Sequence, residues 1–309
     1  MTKKEKTRKS KRKIQYYDYS LVAILVFLIC FGLVMLYSTS SYSALIDYQD
    51  SMFYFKRQLI FCVVGLGVLY VVSKIDYHWY IKRAKFFYFV SIFLMALVQT
   101  PLGKEVNGAR RWLRLPAGQQ LQPAEVAKIA VILFIPVLLC QMGKEIRTLQ
   151  GIGRVLLWGG FSSACVLFLT DNLSTAIIVF GITCIRIFVV HPKTAPFAAL
   201  VSVGLVILLV GVQIISATMS TSKNFRMRRI IAWLNPEEYA AEGAYQTLQG
   251  LYAIGSGGFF GKGLGNSTQK LHAIPEAQND MILAVICEEL GVFGAILVLC
   301  LFAFMLYRL

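Results

Sequence analysis

The sequence predicts an all-α, polytopic bundle of transmembrane helices. Three observations carry that prediction. The composition is too apolar for a water-facing surface, apolar runs of bilayer-crossing length recur along the chain, and a dense basic cluster precedes the first of them. Of the 309 residues, 57% are hydrophobic and 15% are charged, whereas soluble domains carry about 25% charged residues. The surplus apolar surface must face lipid.

A helix needs roughly 20 apolar residues to cross the hydrocarbon core. Runs near that length occupy 21–37, 59–73, 86–100, 125–141, 155–170, 173–190, 196–216 and 281–307, so eight spans are expected. The first follows Lys3, Lys4, Lys6, Arg8, Lys9, Lys11, Arg12 and Lys13. Residues 1–19 therefore read as a basic cytoplasmic tail that fixes orientation and meets anionic headgroups. Because much of the net charge of +15 sits there, it argues for no nucleic-acid partner. The same start looks like a signal peptide, but Ser38-Thr39-Ser40-Ser41 is a poor cleavage site and further spans follow, so a retained anchor is expected. The seven cysteines all lie in apolar runs without metal-ligand spacing and read as small hydrophobes.

With the tail inside, loops 74–85, 142–154 and 191–195 are cytoplasmic; all are short and basic, as the positive-inside rule asks. Outside lie 38–58, 101–124, the turn at Asp171-Asn172 and a long loop, 217–280. Loop 101–124 breaks the rule, with Lys104, Arg110, Arg111 and Arg114 against one acid, Glu105. Guanidinium groups kept outside against that preference point to an anionic ligand there. The plainer alternative is arginines reaching lipid phosphates. Loop 217–280 is too long for a simple connection, and its aromatic residues argue for order. An amphipathic surface helix is expected near 226–234, with Arg226, Arg228 and Arg229 at the headgroups. The chain stops at Arg308-Leu309 with no terminal domain and is expected to be truncated at its C-terminus.

Three stretches carry chemistry. In the first, Asn107-Gly108-Ala109-Arg110-Arg111-Trp112 precedes Gln122-Pro123-Ala124-Glu125-Val126-Ala127-Lys128. Glu125 and Lys128 share one face at the head of the fourth span, either contacting substrate or ordering the adjoining loop. The second is the glycine-rich run Ala253–Gly265. It fails the P-loop pattern, since Ser256 stands where that motif needs Gly and Gly263 where it needs Ser or Thr. A loop whose amides approach a diphosphate remains open. The third runs from Ile274-Pro275-Glu276-Ala277-Gln278-Asn279-Asp280 into Glu288-Glu289-Leu290-Gly291. Asp280 begins the last span, where partial desolvation suits a carboxylate to proton transfer; helix capping is the alternative role. Glu288 and Glu289 lie too deep to be surface charges, and a buried structural partner is expected, with Arg186 as the candidate.

Together the three stretches resemble the signature blocks of the FtsW/RodA/SpoVE (SEDS) family: N-G-x-x-R-W, Q-P-x-E-x-x-K, and A-I-G-S-G-G-x-x-G-x-G-L-G followed by P-E-A-x-x-D and E-E-L-G. Asp171-Asn172-Leu173-Ser174-Thr175 and Glu276-Ala277 match the form usual in FtsW and SpoVE members. The resemblance runs from about residue 20 to the end. It implies a ten-helix fold, of which the last two spans with their Ser-Tyr-Gly-Gly motif are absent here. It also implies a peptidoglycan glycosyltransferase that polymerises lipid II at the outer face of the cytoplasmic membrane, in division or sporulation. The implied partners are a class B penicillin-binding protein transpeptidase and other divisome membrane proteins, with enrichment at the septum. The implied cofactor is a divalent cation, Mg or Mn, with no organic one. The resemblance places the essential acid on Asp280 and the basic and polar substrate-binding residues on Arg110, Arg111, Trp112, Glu125 and Lys128. Met281 stands where the family often has Phe, an apolar exchange expected to be tolerated.

Glycosyl transfer between lipid-linked sugars needs a base near the attacking hydroxyl and positive charge on the leaving diphosphate. Asp280 is the expected base, acting directly or through a cation; Arg110 and Arg111, with Lys262 or Lys270, are the expected diphosphate ligands. Two rival readings come from other classes. A lipid II flippase would carry its key charges near the bilayer midplane. A non-catalytic divisome scaffold would tolerate loss of the Asp280 carboxylate.

Overall fold

The computed structural model describes residues 18–106, 109–116, 119–192, 195–218, 233–234, 236–237, 239, 244–271 and 274–309. Among them helices cover each apolar run: α1 (Tyr19–Tyr48), α2 (Phe53–Lys74), α3 (Tyr77–Leu97), α4 (Pro123–Met142), α5 (Leu149–Thr170), α6 (Leu173–Val190) and α7 (Ala195–Thr218). A shorter α8 (Tyr245–Gly257) precedes α9 (Ile282–Arg308). Six helices are long and apolar enough by themselves to cross a membrane: α1, α2, α4 with its following 3-10 turn, α5, α6 and α9. Helix α3 begins well before its apolar run and carries Lys82, Arg83 and Lys85 in its first half, which dilutes its hydropathy. The expected surface helix at 226–234, the tail at 1–17 and the Asn107-Gly108 pair lie wholly or mainly outside the described residues.

Local chemistry sets the helix starts. Asp18 caps α1 by accepting from the Ser20 and Leu21 amides. Thr148 caps α5 by accepting from Gly151, and Asn172 caps α6 by accepting from Thr175. Most apolar residues point outward, and α2 buries none of its side chains. An outward apolar surface of this extent is what a lipid solvent selects.

One expectation needs correction. The chain is nearly but not wholly α-helical, because loop 101–124 contains a three-stranded antiparallel sheet: β1 (Gly103–Val106), β2 (Ala109–Arg114) and β3 (Gln120–Leu121). Strands β1 and β2 pair with Val106 opposite Ala109, so two residues connect them. Asn-Gly in that two-residue position is the strongest short hairpin signal. It was readable in the sequence.

The chain divides into two compact units. One spans Tyr70–Val210 and centres on Tyr88, Val131, Phe134, Val155, Val166 and Val179. Tyr88 donates its hydroxyl to the Trp158 carbonyl at 2.6 Å. A Cβ at Gly159 would lie 2.2 Å from the Thr183 hydroxyl, so α5 and α6 touch at a small residue, as membrane helices commonly do. The other unit comprises the residues up to Leu69 and Gly211–Leu309. In it Arg308 donates to Asp18 at 2.6 Å, joining the end of α9 to the start of α1. That hydrogen bond holds the Asp18 carboxyl below the usual carboxylate range.

Candidate functional site

The site in the first-and-last-residue unit is built on a broken helix. Gly291 takes φ 71° and ψ −174° inside α9, which interrupts the helical hydrogen-bond ladder. The Glu288 and Glu289 carbonyls freed by the break accept from the Lys262 and Gly263 amides, both at 2.9 Å. In return Val292 and Phe293 donate to the Gly258 and Phe259 carbonyls. The two backbones approach so closely that a Cβ at Gly257 would lie 2.0 Å from the Cys287 oxygen, and one at Gly261 2.2 Å from the Glu289 oxygen. This contact explains the glycines of Ala253–Gly265. Their amides at 261–263 are spent on backbone partners, so that stretch offers no phosphate cradle.

The same contact brings buried charges together. Glu288 and Glu289 are 0% exposed. Lys262 donates to Glu288 at 2.7 Å, and the Ser267 hydroxyl, the Thr268 amide and hydroxyl, and the Gln269 amide complete the shell of that carboxylate. Glu289 accepts from Lys270 at 2.7 Å and from the Ser38 hydroxyl of α1. The expected partner Arg186 is instead on an exposed position of α6. Lys262 and Lys270 are expected in the sequence as substrate ligands. Lys270, with its side chain 7% exposed, has its ammonium shared among Glu289, Ser38 and the Gly265 carbonyl. Lys262 is 33% exposed and donates to Glu288 and Ser256.

Asp280 lies on the loop between these ends. Ile274 and Ala277 are buried against Ala253, Ala284 and Val285, and Gln246 donates to the Pro275 carbonyl. Met281 packs over Gly250, with its methyl where a Cβ would be. The apolar side of the turn thus faces inward and Asp280 is left exposed. Its carboxylate has no hydrogen bond or ion pair among the described residues. It does not cap α9 either, since Met281 is the N-cap and no side chain serves. Gln278 and Asn279 line a cavity of about 350 Å³ with Leu28, Gly32 and Leu36 of α1 and Gln58 and Cys62 of α2. The loop before Asp280 therefore reaches below the α1–α2 turn, to the level of apolar helix positions.

In the unit Tyr70–Val210, the sheet organises the other predicted residues. Arg110 and Glu105 face each other across β1 and β2 at 3.5 Å. Arg111 donates to the Asp171 carbonyl at 3.0 Å, while its Nε is buried with no partner among the described residues. Asp171 itself adopts φ 47° between α5 and α6, so the Asp-Asn turn and the arginine strand are tied together. Trp112 pairs with Lys104 on β1 and is partly buried. Glu125 and Lys128 form an ion pair at 2.6 Å in the first turns of α4 and stay 53% and 27% exposed.

These motifs, in this order, agree with a family model. The cell cycle protein family FtsW/RodA/SpoVE matches residues 19–309. The chain belongs to that family. Two of its relatives are a probable peptidoglycan glycosyltransferase FtsW of Geobacter sp. (strain M18), 33% identical, and the stage V sporulation protein E of Bacillus subtilis (strain 168), 35% identical. The matches cover 96% and 94% of this chain and 79% and 77% of those relatives. Among solved structures, a chain from a study of polymerization and crosslinking by a peptidoglycan synthase complex aligns with TM-score 0.70 at 25% identity, over 94% of this chain and 76% of that one. The rod shape determining protein RodA of Thermus thermophilus aligns with TM-score 0.59 at 22% identity, over 96% and 74%, and so shares the SEDS fold.

Proposed function

We propose that this chain is a peptidoglycan glycosyltransferase that polymerises lipid II into glycan strands at the outer face of the cytoplasmic membrane. Eight spans with the N-terminus inside place loops 101–124 and 217–280 on that face. The observation that carries the reading is Asp280: an exposed carboxylate with no partner among the described residues, on a turn fixed by buried residues at its base. The name of one relative, probable peptidoglycan glycosyltransferase FtsW, supports the same activity.

In the reaction, a sugar hydroxyl of one lipid-linked substrate attacks the anomeric carbon of another. The new glycosidic C–O bond forms as the bond to the lipid diphosphate breaks. Asp280 takes the hydroxyl proton, and the diphosphate leaves with its negative charge. Arg110 and Arg111 are assigned to that charge, because a planar guanidinium matches phosphate oxygens in pairs. Arg111 spends one terminal nitrogen on the Asp171 carbonyl, and among the described residues Arg110 makes a single long contact, with Glu105. Trp112, Glu125 and Lys128 order the adjoining surface, with Lys128 able to exchange Glu125 for substrate. Lys262, though a third exposed, is the ion partner of buried Glu288 and is kept in that structural role.

Among the described residues no cluster of three His, Cys, Asp or Glu side chains is arranged for a metal. A magnesium or manganese ion held by one carboxylate and substrate phosphates fits this donor set, because such ions usually keep waters and take few protein ligands. Asp280 is the side chain that would hold it, and the ion would supply charge neutralisation at the diphosphate. A class B penicillin-binding protein is the proposed partner at the septum. The deep charges that a flippase would need, Glu288 and Glu289, are matched by lysines and hydroxyls.

The test is Asp280→Asn in the purified full chain with lipid II. The variant should fold and bind lipid II yet make no polymer. Polymer at the normal yield removes Asp280 from the chemistry.

A further inference from the structure

A buried ion pair and a set of hydroxyl and amide donors close the loop that carries Asp280. Lys270 and Glu289 stand 19 residues apart in sequence and meet at 2.7 Å. Just before Lys270, Ser267, Thr268 and Gln269 all donate to Glu288. The segment between, including Asp280, starts and ends at this junction, and its turn is held a second time by buried Ile274 and Ala277. The Ser38 hydroxyl donates to both oxygens of Glu289, at 2.7 and 2.8 Å, and lies 3.1 Å from the Lys270 ammonium, which ties the junction to α1.

We propose that this ionic clasp is a positioning device for the reaction, and that Lys270, Glu289 and Ser38 act by fixing the Asp280 loop rather than by touching substrate. The idea rests on the glycosyltransferase reading above. Its physical basis is directional. An apolar pair of similar volume would give comparable stability in a buried site, but would accept several registers of the loop. A carboxylate saturated by an ammonium and hydroxyls accepts one. Lys270 is committed to three acceptors in a site 7% open, so it cannot reach a diphosphate without leaving Glu289 uncompensated. A base misplaced by about 1 Å can lose about 100-fold in rate, so the loop's register matters to Asp280 more than its stability does.

Two variants of the full chain test this. Lys270→Met with Glu289→Leu replaces the pair by apolar groups, and Ser38→Ala removes the tie to α1 while leaving the pair in place. Each is read by amide hydrogen exchange over 274–281 and by steady-state polymerisation of lipid II. The expected result is exchange about tenfold faster in this segment, with kcat down about tenfold and KM unchanged. Unchanged exchange in both variants overturns the clasp. Faster exchange with wild-type kcat overturns its link to the base. A raised KM at constant kcat makes Lys270 a substrate ligand after all. If the double variant does not fold, Ser38→Ala decides alone. If the wild type itself makes no polymer, the glycosyltransferase reading has failed and the exchange data still judge the clasp.

Discussion

The two units use ion pairs in opposite ways. In one, Glu288 and Glu289 are fully buried, and lysines, hydroxyls and amides supply their hydrogen bonds. In the other, Glu105–Arg110 and Glu125–Lys128 lie half-open beside a small sheet, with side-chain exposures from 27% to 56%. Burial decides what a pair can do. A carboxylate out of water must keep its partner, since an uncompensated buried charge costs several kcal/mol. An exposed pair contributes little and can trade its partner for a ligand. The buried pairs therefore hold structure, and the open ones at the sheet could give up a partner at little cost.

Three changes would break or sharpen this contrast. The largest effect belongs to Lys270→Met, which leaves Glu289 buried and unpaired and should destabilise that unit by about 3–5 kcal/mol. Thermal or denaturant unfolding in detergent reads it; a loss below about 1 kcal/mol would show that the pair is solvated. Next comes Gly257→Ala, which sets a methyl 2.0 Å from the Cys287 oxygen and must push two backbones apart. An overpacking loss of about 1–3 kcal/mol is expected, accompanied by faster exchange of the Lys262 and Gly263 amides. If those amides stay protected, the latch at the helix break is looser than drawn. The smallest belongs to Arg110→Met, which should cost about 0–1 kcal/mol of stability. Its stability effect should shrink further in salt, because exposed charges are screened. A larger loss would mean that Arg110 holds the sheet together rather than remaining free to bind.

Much of the fold was legible before any coordinates. The apolar runs located the helices, because lipid demands long continuous apolar segments with their backbone bonds satisfied internally. Arg110 and Arg111 stood out in a loop that breaks the positive-inside pattern, Glu125 and Lys128 as a pair at the head of a span, and Asp280 at the start of the last apolar run. Reading Glu288 and Glu289 as structural was within reach, since so deep a charge must be compensated. Their partners were not. Arg186 was the natural choice because it sits inside a span, whereas Lys262 and Lys270, in and just after the glycine-rich run, had been read as diphosphate ligands.

What the sequence determined by itself is the solvent and the inventory: an apolar membrane protein with a basic loop before its fourth apolar run and an acidic residue just before its last. Those follow from composition and periodicity, which are local. Tertiary structure alone decided which charges meet. Gly291 breaks α9, the break frees two carbonyls, and the Gly257–Gly265 segment then comes close enough to deliver Lys262 and Lys270 to the glutamates. Pairing of that kind depends on where two backbones touch, and no spacing along the chain encodes it.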